Sequence, residues 1–361
     1  MPTLTYANLG KLPIEPTLQD FFSNGEAGAA YAFPDLSSLY QDAAGTVPVT
    51  AIGQQVYRVN DISGRGNHLL QATALARPRL GRTPAGGVRN LLLATAAMAT
   101  QSLTVTAVAH TLRFSGTGTV TLSGASTAGP LVGTGVGNRV SLTFTPTAGT
   151  LTLTVSGNVT EAQLEIGAGT AYQAVTDPWD VTEAGKRDCY CLYGDGIDDT
   201  MATASNVLPV RNGLSLACAL QFDKAGIVTG PVITFGISGP STNFCIAPRR
   251  NVNSTIDYVS ARTTTGYLVR TFSGFSYLRP FVIGGMVDND IISVFRSHPD
   301  DAADGPAPLG SAVSAAHPLS LFPARDGIAR FYGGLVLSRP FASLEREFAM
   351  EEYAYLSGAI E

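Results

Sequence analysis

From Leu103 onward the chain alternates apolar and polar positions: Leu103, Val105 and Ala107, then Leu112 and Phe114, then Val120 and Leu122, with Thr, Ser or Arg between them. A period of two is that of a half-buried strand, with one face on a core and the other in water. Val140, Leu142 and Phe144 repeat the pattern, residues 146–149 (Pro-Thr-Ala-Gly) supply a turn, and Leu151, Leu153 and Val155 return. This predicts a hairpin. Ser215 to Phe222, Val232 to Ile237, Phe281 to Val287 and Ile291 to Phe295 read as further strands, with Asp288-Asn289-Asp290 as the turn between the last two. One helix is predicted at the C-terminus, after Pro340, where Leu344, Phe348 and Tyr355 recur near helical spacing among Glu and Arg. It is expected to pack across the end of the sandwich. Residues 1–18 hold Pro2, Pro13 and Pro16 and no periodic pattern, which predicts an extended arm of the kind that docks on a partner. The fold class is therefore all-β, an antiparallel β-sandwich protein with one C-terminal helix.

Composition supports that picture. Charged residues make up 14% of the chain, against about 25% in average domains, and glycine is frequent at 39 of 361 residues. With 45% apolar residues, this is not the composition of a disordered chain, a coiled coil or a collagen-like rod. A length of 361 residues suggests two domains. The net charge of −5 leaves no basic excess to displace phosphate counterions, so no nucleic-acid partner is expected. The longest apolar stretch, around Leu91 to Ala99, is far shorter than the ~20 residues of a spanning helix, so no membrane insertion is expected. The first residues have neither a basic segment nor an apolar one, which predicts synthesis in the cytoplasm. Cys189, Cys191, Cys218 and Cys245 are accordingly expected to be reduced. Cys189 and Cys191, two apart, would share one face of a strand as small buried hydrophobes.

Between Val88 and Thr176 the only charged side chains are Arg89, Arg113, Arg139, Glu161 and Glu165. The flanks differ in kind, with Gly and Arg punctuating the segment before and Cys, Tyr and paired Asp the segment after. The shift predicts an inserted domain at 88–178, splitting a host made of 19–87 plus 179–361.

Two loops carry a resemblance. Asp61-Ile62-Ser63-Gly64-Arg65-Gly66-Asn67-His68 concentrates residues that hydrogen-bond their own backbone or permit positive φ, and Tyr193-Gly194-Asp195-Gly196-Ile197-Asp198-Asp199 joins a tight turn to polar residues. Together they resemble the paired signature of the laminin-G-like, concanavalin A-like jelly rolls, Asp-x-Ser-Gly-x-Gly-Asn-His and Phe-Asp-Gly-x-Asp-Asp, with Gly194 in place of the usual residue before Asp-Gly. The stretches 36–46, 48–50 and 71–80 resemble a bacteriophage version of that family, common in tail proteins. In the insert, Arg89-Asn90-Leu91-Leu92, the Thr-rich strands, residues 162–167 and Tyr172 resemble phage carbohydrate-binding-like sandwich domains. Excision of the insert would run Arg77-Pro78-Arg79-Leu80 into Tyr190-Cys191-Leu192-Tyr193, as in uninterrupted relatives. The resemblance implies a jelly roll interrupted by a second small sandwich, in a virion.

Candidate chemistry is sparse. The chain has no Gly-x-Ser-x-Gly elbow, phosphate loop or His-Glu-x-x-His motif, and His68, His110, His298 and His317 are scattered. The Glu-x-Asp-x-Glu pattern of related glucanases is also missing, so no enzyme, no catalytic residue and no cofactor are expected. Some laminin-G-like domains bind calcium, which Asp195, Asp198 and Asp199 could do; the simpler reading has Asp195 serving its turn and Asp198 or Asp199 accepting backbone amides, and no metal is expected. Arginines and aromatics cluster in Arg249, Arg250, Tyr258, Arg262, Tyr267, Arg270 and Tyr277. Sugar rings stack on aromatic faces and arginine pairs with acidic sugars, which makes this a candidate glycan-binding face. The alternative places the aromatics in the core and the arginines against neighbouring subunits.

The expected function is that of a phage virion structural protein, a tail-tip or tail-fibre adhesion subunit. It would contact a bacterial surface glycan, join other virion proteins through residues 1–18 and assemble as a homo-oligomer. The alternative is a capsid decoration or head-fibre protein, and a glycan-degrading enzyme ranks lower. Replacing residues 88–178 with a short Gly/Ser linker is expected to leave a soluble jelly roll, while the excised segment folds alone. Aggregation of both pieces, scored by light scattering and circular dichroism, would show that they share a core.

Overall fold

The structure is a computed structural model that describes residues 16–209, 213–222, 235–238, 243–250, 255–262, 267–273, 279–288, 291–296, 307–308, 318–322 and 328–360. Among the described residues it is all-β apart from one α-helix and short 3₁₀ turns. The chain divides into two compact units, one formed by Met1–Gly81 with Cys189–Glu361 and the other by Arg82–Asp188.

In the first unit, two antiparallel sheets enclose one apolar core. Along Leu214–Phe222 the even positions Leu214, Leu216, Cys218, Leu220 and Phe222 belong to that core, as do Phe281, Ile283 and Val287 of Phe281–Asp288. These strands pair with each other, and Leu214–Phe222 pairs on its other side with Ala329–Leu337. The opposing sheet contributes Leu39, Val59, Leu69, Phe235, Leu319 and Leu321 to the same core. Burial of each such side chain contributes about 1.5–3 kcal/mol.

The odd positions of Leu214–Phe222 are buried as well, because a helix covers that face of the sheet. The helix runs Ser343–Ser357 and ends at Gly358, whose φ of 75° is left-handed and cheap for glycine. It packs on Leu214–Phe222, Phe281–Asp288 and Ala329–Leu337, a sheet face, where the sequence pointed to the sandwich end. Its buried side is also not the one that the spacing of Leu344, Phe348 and Tyr355 indicated. Leu344 is 63% exposed and Tyr355 38%, while Ala349, Met350, Tyr353, Ala354 and Leu356 are buried. Small side chains let the helix approach the sheet closely, which a count of large apolar residues overlooks. The approach is close at Gly333, where an added Cβ would lie 2.9 Å from the Tyr353 ring of the helix and 2.6 Å from the Tyr31 carbonyl oxygen of the neighbouring strand. Arg339 fixes the helix start through Glu345, at 2.6 and 2.7 Å, and Glu26, at 3.0 Å.

The cysteines Cys189, Cys191 and Cys218 are buried in this unit and form no disulfide. Burial pushes the Cys191 thiol up to about 12, so it remains protonated and behaves as a small hydrophobe. Leu18, the last residue expected in the arm, is buried at the head of the 3₁₀ turn Leu18–Phe22, which Asp20 closes by accepting the Thr17 amide at 2.7 Å.

The second unit is a sandwich of its own. Gly135–Phe144, His110–Gly116 and Val159–Ile166 form one sheet; Gln101–Val105, Gly149–Ser156, Thr119–Gly124 and Leu131–Val132 form the other. Leu112, Phe114, Val120, Leu122, Leu151, Leu153 and Leu164 meet between them. The predicted hairpin of 140–144 with 151–155 does not occur. Gly135–Phe144 pairs with His110–Gly116, whereas Gly149–Ser156 pairs with Gln101–Val105 and Thr119–Gly124. The turn at 146–149 carries the chain from one sheet to the other, so Phe144 and Leu151 join the core from opposite sides. Alternation identifies strands, but it is silent on whether a turn folds back within a sheet or crosses between two.

Gly64 and Gly196 have φ values of 79° and 74°. A β-branched residue is strained there by about 1–3 kcal/mol, so Gly64→Val and Gly196→Val should each lower the melting temperature by several degrees in calorimetry. Unchanged melting would contradict the left-handed geometry.

Candidate functional site

The arginine and aromatic cluster lies on three consecutive antiparallel strands, Asn243–Arg250, Thr255–Arg262 and Tyr267–Ser273, at one side of the second sheet of the first unit. Register assigns these positions to faces. Residues directly opposite across a ladder share a face, and faces alternate along each strand. The core side is set by Leu39, Val59, Leu69, Phe235, Leu319 and Leu321, all fully buried. Carried across the pairings Leu321 with Phe235, Phe235 with Ile246, and Ile246 with Val259, the core-side row reaches Arg270. The outer face then contains the row Asn243, Arg262, Tyr267 and, after bulges in the first two strands, the row Arg249, Asp257, Thr271. Arg250 falls in the core-side row with Ile256 and Phe272. Tyr258 sits at the bulge between Asp257 and Val259. Tyr277 lies outside the described residues. Of the seven predicted positions, register therefore places Arg249, Arg262 and Tyr267 on the outer face, and it adds Asn243 and Asp257, which a search for aromatics and arginines passes over.

The first signature loop has a structural role. The Asp61 carboxylate accepts four hydrogen bonds, from the Ala30 and Ser63 amides at 2.9 Å each, the Ser63 hydroxyl at 2.8 Å and the Asn67 amide at 2.9 Å. Asn67 in turn donates to the Gly28 carbonyl at 2.7 Å. His68 accepts the Asp61 amide through Nδ1 at 3.1 Å. Burial first, and then the charge of Arg58, lower the His68 pKa, which keeps that nitrogen available as an acceptor.

The second signature loop gathers carboxylates. One oxygen from each of Asp195, Asp198 and Asp199 lies within 4.8 Å of the others. Asp195 accepts the Ile197 amide at 2.8 Å, and Asp199 accepts the Asp195 amide at 2.9 Å. Two of the three thus close the turn themselves. Burial pushes the Asp199 carboxyl up to about 6, with the Asp195 and Asp198 charges adding to the rise and the Asp195 amide and Arg79 opposing it.

The motif residues of the second unit are likewise consumed internally. Asn90 donates to the Ala162 and Gln173 carbonyls, both at 2.9 Å, and its Oδ1 accepts the Leu92 and Leu164 amides, both at 3.2 Å. Gln163 donates to Glu165 at 2.8 Å and accepts the Gln173 amide at 2.9 Å. Glu165 also receives the amide and hydroxyl of Thr170. These side chains are almost fully buried and hold strand ends together. Tyr172 bonds to Thr95 at 2.8 Å.

The Asp199 environment has a sign that can be tested. Its folded pKa of about 6 exceeds the ordinary 3.8, so between these values the folded state keeps a proton that the unfolded state releases. This contribution to stability falls as pH rises through that window. Asp199→Asn, which preserves an acceptor for the Asp195 amide, should raise the melting temperature at about pH 7 but much less at about pH 4. The limit is roughly 3 kcal/mol, two pK units at ~1.4 each. An equal shift at both pH values in differential scanning calorimetry would refute the assignment.

No protein-family model matches the chain, and no curated protein matches it. Solved structures similar to it include an arabinofuranosidase complexed with arabinofuranosyl-α-1,2-xylobiose, at 10% identity and a TM-score of 0.39, covering 94% of this chain and 64% of that one. The chain thus spans less than two thirds of that enzyme's length. A carbohydrate esterase from the Shiga toxin-encoding bacteriophage phi24B is 14% identical with a TM-score of 0.29, covering 42% of this chain and 81% of that one. A GH43 protein from Bacillus licheniformis is 10% identical with a TM-score of 0.28, covering 81% of this chain and 76% of that one. These comparisons correct the expectation that the protein is not an enzyme: chains like it in the solved structures include glycoside hydrolases, and the exclusion is withdrawn. At such identities and TM-scores the likeness assigns no activity either.

Proposed function

We propose that this protein is a subunit of a phage virion, in a tail tip, tail fibre or comparable appendage, that engages a polysaccharide on the bacterial surface. The observation that carries the reading is the outer-face row Asn243, Arg262, Tyr267. Residues of hydrogen-bonding, cationic and aromatic type stand opposite one another in the register of one sheet, whose strands hold such positions at a fixed spacing. The signature loops at 61–68 and 193–199 and the phage-like stretches 36–46 and 71–80 support the virion setting. In this reading residues 1–18, of which 1–15 lie outside the described residues, attach the subunit to other virion proteins, and several copies assemble together.

The test uses the full chain, fluorescently labelled, on host cells and on their extracted surface polysaccharide. Saturable binding that is lost after periodate oxidation of the glycan is expected, together with antibody labelling of the tail in electron micrographs. Binding that survives removal of the glycan, or labelling confined to the capsid without glycan binding, would overturn the proposal. Reducing ends released during the same incubation would add cleavage to binding.

A further inference from the structure

A cleft of about 480 Å³ opens in the first unit where the 3₁₀ turn Leu18–Phe22, the end of the strand Gly28–Ala32 and the C-terminal helix meet. Its walls are largely apolar, with Pro16, Leu18, Pro34, Ile62 and Phe348, and its one charged group is Glu352. The Glu352 side chain is half-buried, and no hydrogen bond or ion pair reaches it among the described residues. Burial raises its carboxyl pKa, and burial together with the Glu347 charge does the same at the preceding Glu351. A half-buried carboxylate left alone is costly, and a cation brought beside it offsets that cost. The cleft thus fits a short apolar segment that carries one positive charge.

Residues 1–15, which lie outside the described residues, contain such a segment in Leu9-Gly10-Lys11-Leu12-Pro13-Ile14. Lys11 is the only lysine or arginine before Arg58. We infer that residues 9–14 of one copy dock in this cleft of a neighbouring copy, with the Lys11 ammonium paired to the Glu352 carboxylate. The inference rests on the reading of residues 1–18 as an attachment arm and names a second copy of this chain as its partner. The root of the arm selects a neighbour over the same chain, because Pro16 stands on the cleft wall and Lys11, five residues earlier, is at most ~18 Å from it at full extension. Leu12 and Glu15 each precede a proline, which biases both to extended backbone and disfavours a return into the same cleft over so short a stretch. Insertion into a neighbour needs no such reversal. Leu9, Leu12 and Ile14 match the apolar walls, while the flexible lysine stem carries its ammonium past them. Partial exclusion of water from the cleft strengthens the ion pair relative to one on open surface.

The experiment uses the full chain in sedimentation velocity and in zero-length carbodiimide cross-linking, which joins an amine to a carboxylate in contact with it. The unaltered chain should self-associate, and cross-linking should give covalent dimers or larger species in which mass spectrometry finds Lys11 joined to Glu352. Lys11→Glu should weaken self-association at least ~10-fold, Glu352→Lys should do the same, and the two changes combined should restore it because the pair is then reversed. Melting curves of each variant identify misfolding, and if Glu352→Lys does not fold, loss of the Lys11 cross-link in Glu352→Gln takes its place. A chain that sediments as a monomer, a Lys11→Glu variant that associates as tightly as the original, or a Lys11–Glu352 cross-link confined to monomers overturns the exchange. In assembled particles, Lys11 joined to a different virion protein overturns the exchange and leaves the attachment reading standing. Lys11 joined to no protein there overturns both.

Discussion

The carboxylate of Asp61 is the point on which the first unit depends. By taking four hydrogen bonds it joins the strand Gly28–Ala32 to the loop that ends at His68, and Asn67 returns a bond to the same strand. A buried carboxylate is costly unless its lone pairs are occupied, and here the occupants are three backbone amides and the Ser63 hydroxyl. Ser and Asn serve as short donors, while glycine permits the backbone to curl around the anion. The loop is therefore a stitch between sheet and connection. Its residues are spent on structure.

Around that stitch the unit is layered as helix, sheet and sheet. Each layer explains a feature of the next. The central strands are buried on both faces because the C-terminal helix covers one and the opposing sheet the other, so they read as continuous apolar and small-residue runs such as Leu214–Phe222. The opposing sheet has one face on the core, and its other face carries the polar positions of the candidate site. The proposed recognition row therefore lies on the face of that sheet that the core does not use.

The second unit solves the same problem differently. Beyond its apolar core it buries Asn90, Gln163, Glu165 and Gln173 in a satisfied network. Amide side chains bond to strand-end carbonyls and amides that the ladders leave open, which ties the segment starting at Arg89 to the strand Val159–Ile166. A charged and polar motif of this kind looks like a binding site in a sequence. Its burial and saturated bonding make it a clasp.

Periodicity alone determined that the described residues form strands and a C-terminal helix, because a period of two or of 3.6 follows from backbone geometry. The turn-forming loops were equally legible: Gly64, Gly66 and Gly196 adopt the positive φ that their neighbours imply. Partnership was not. Whether 140–144 pairs with 151–155 depends on which strands compete for the same edge, and that competition is settled by residues 101–124, distant in sequence. The helix's buried side was likewise decided by the surface it meets, where the Tyr353 ring lies against Gly333, a position with no room for a Cβ. For the candidate site the sequence showed a cluster of arginines and aromatics, yet it could not divide them between faces. Bulges shift the alternation midway along two of the three strands, and only the cross-strand register, fixed by the core at the other side of the sheet, tells Arg262 from Arg270.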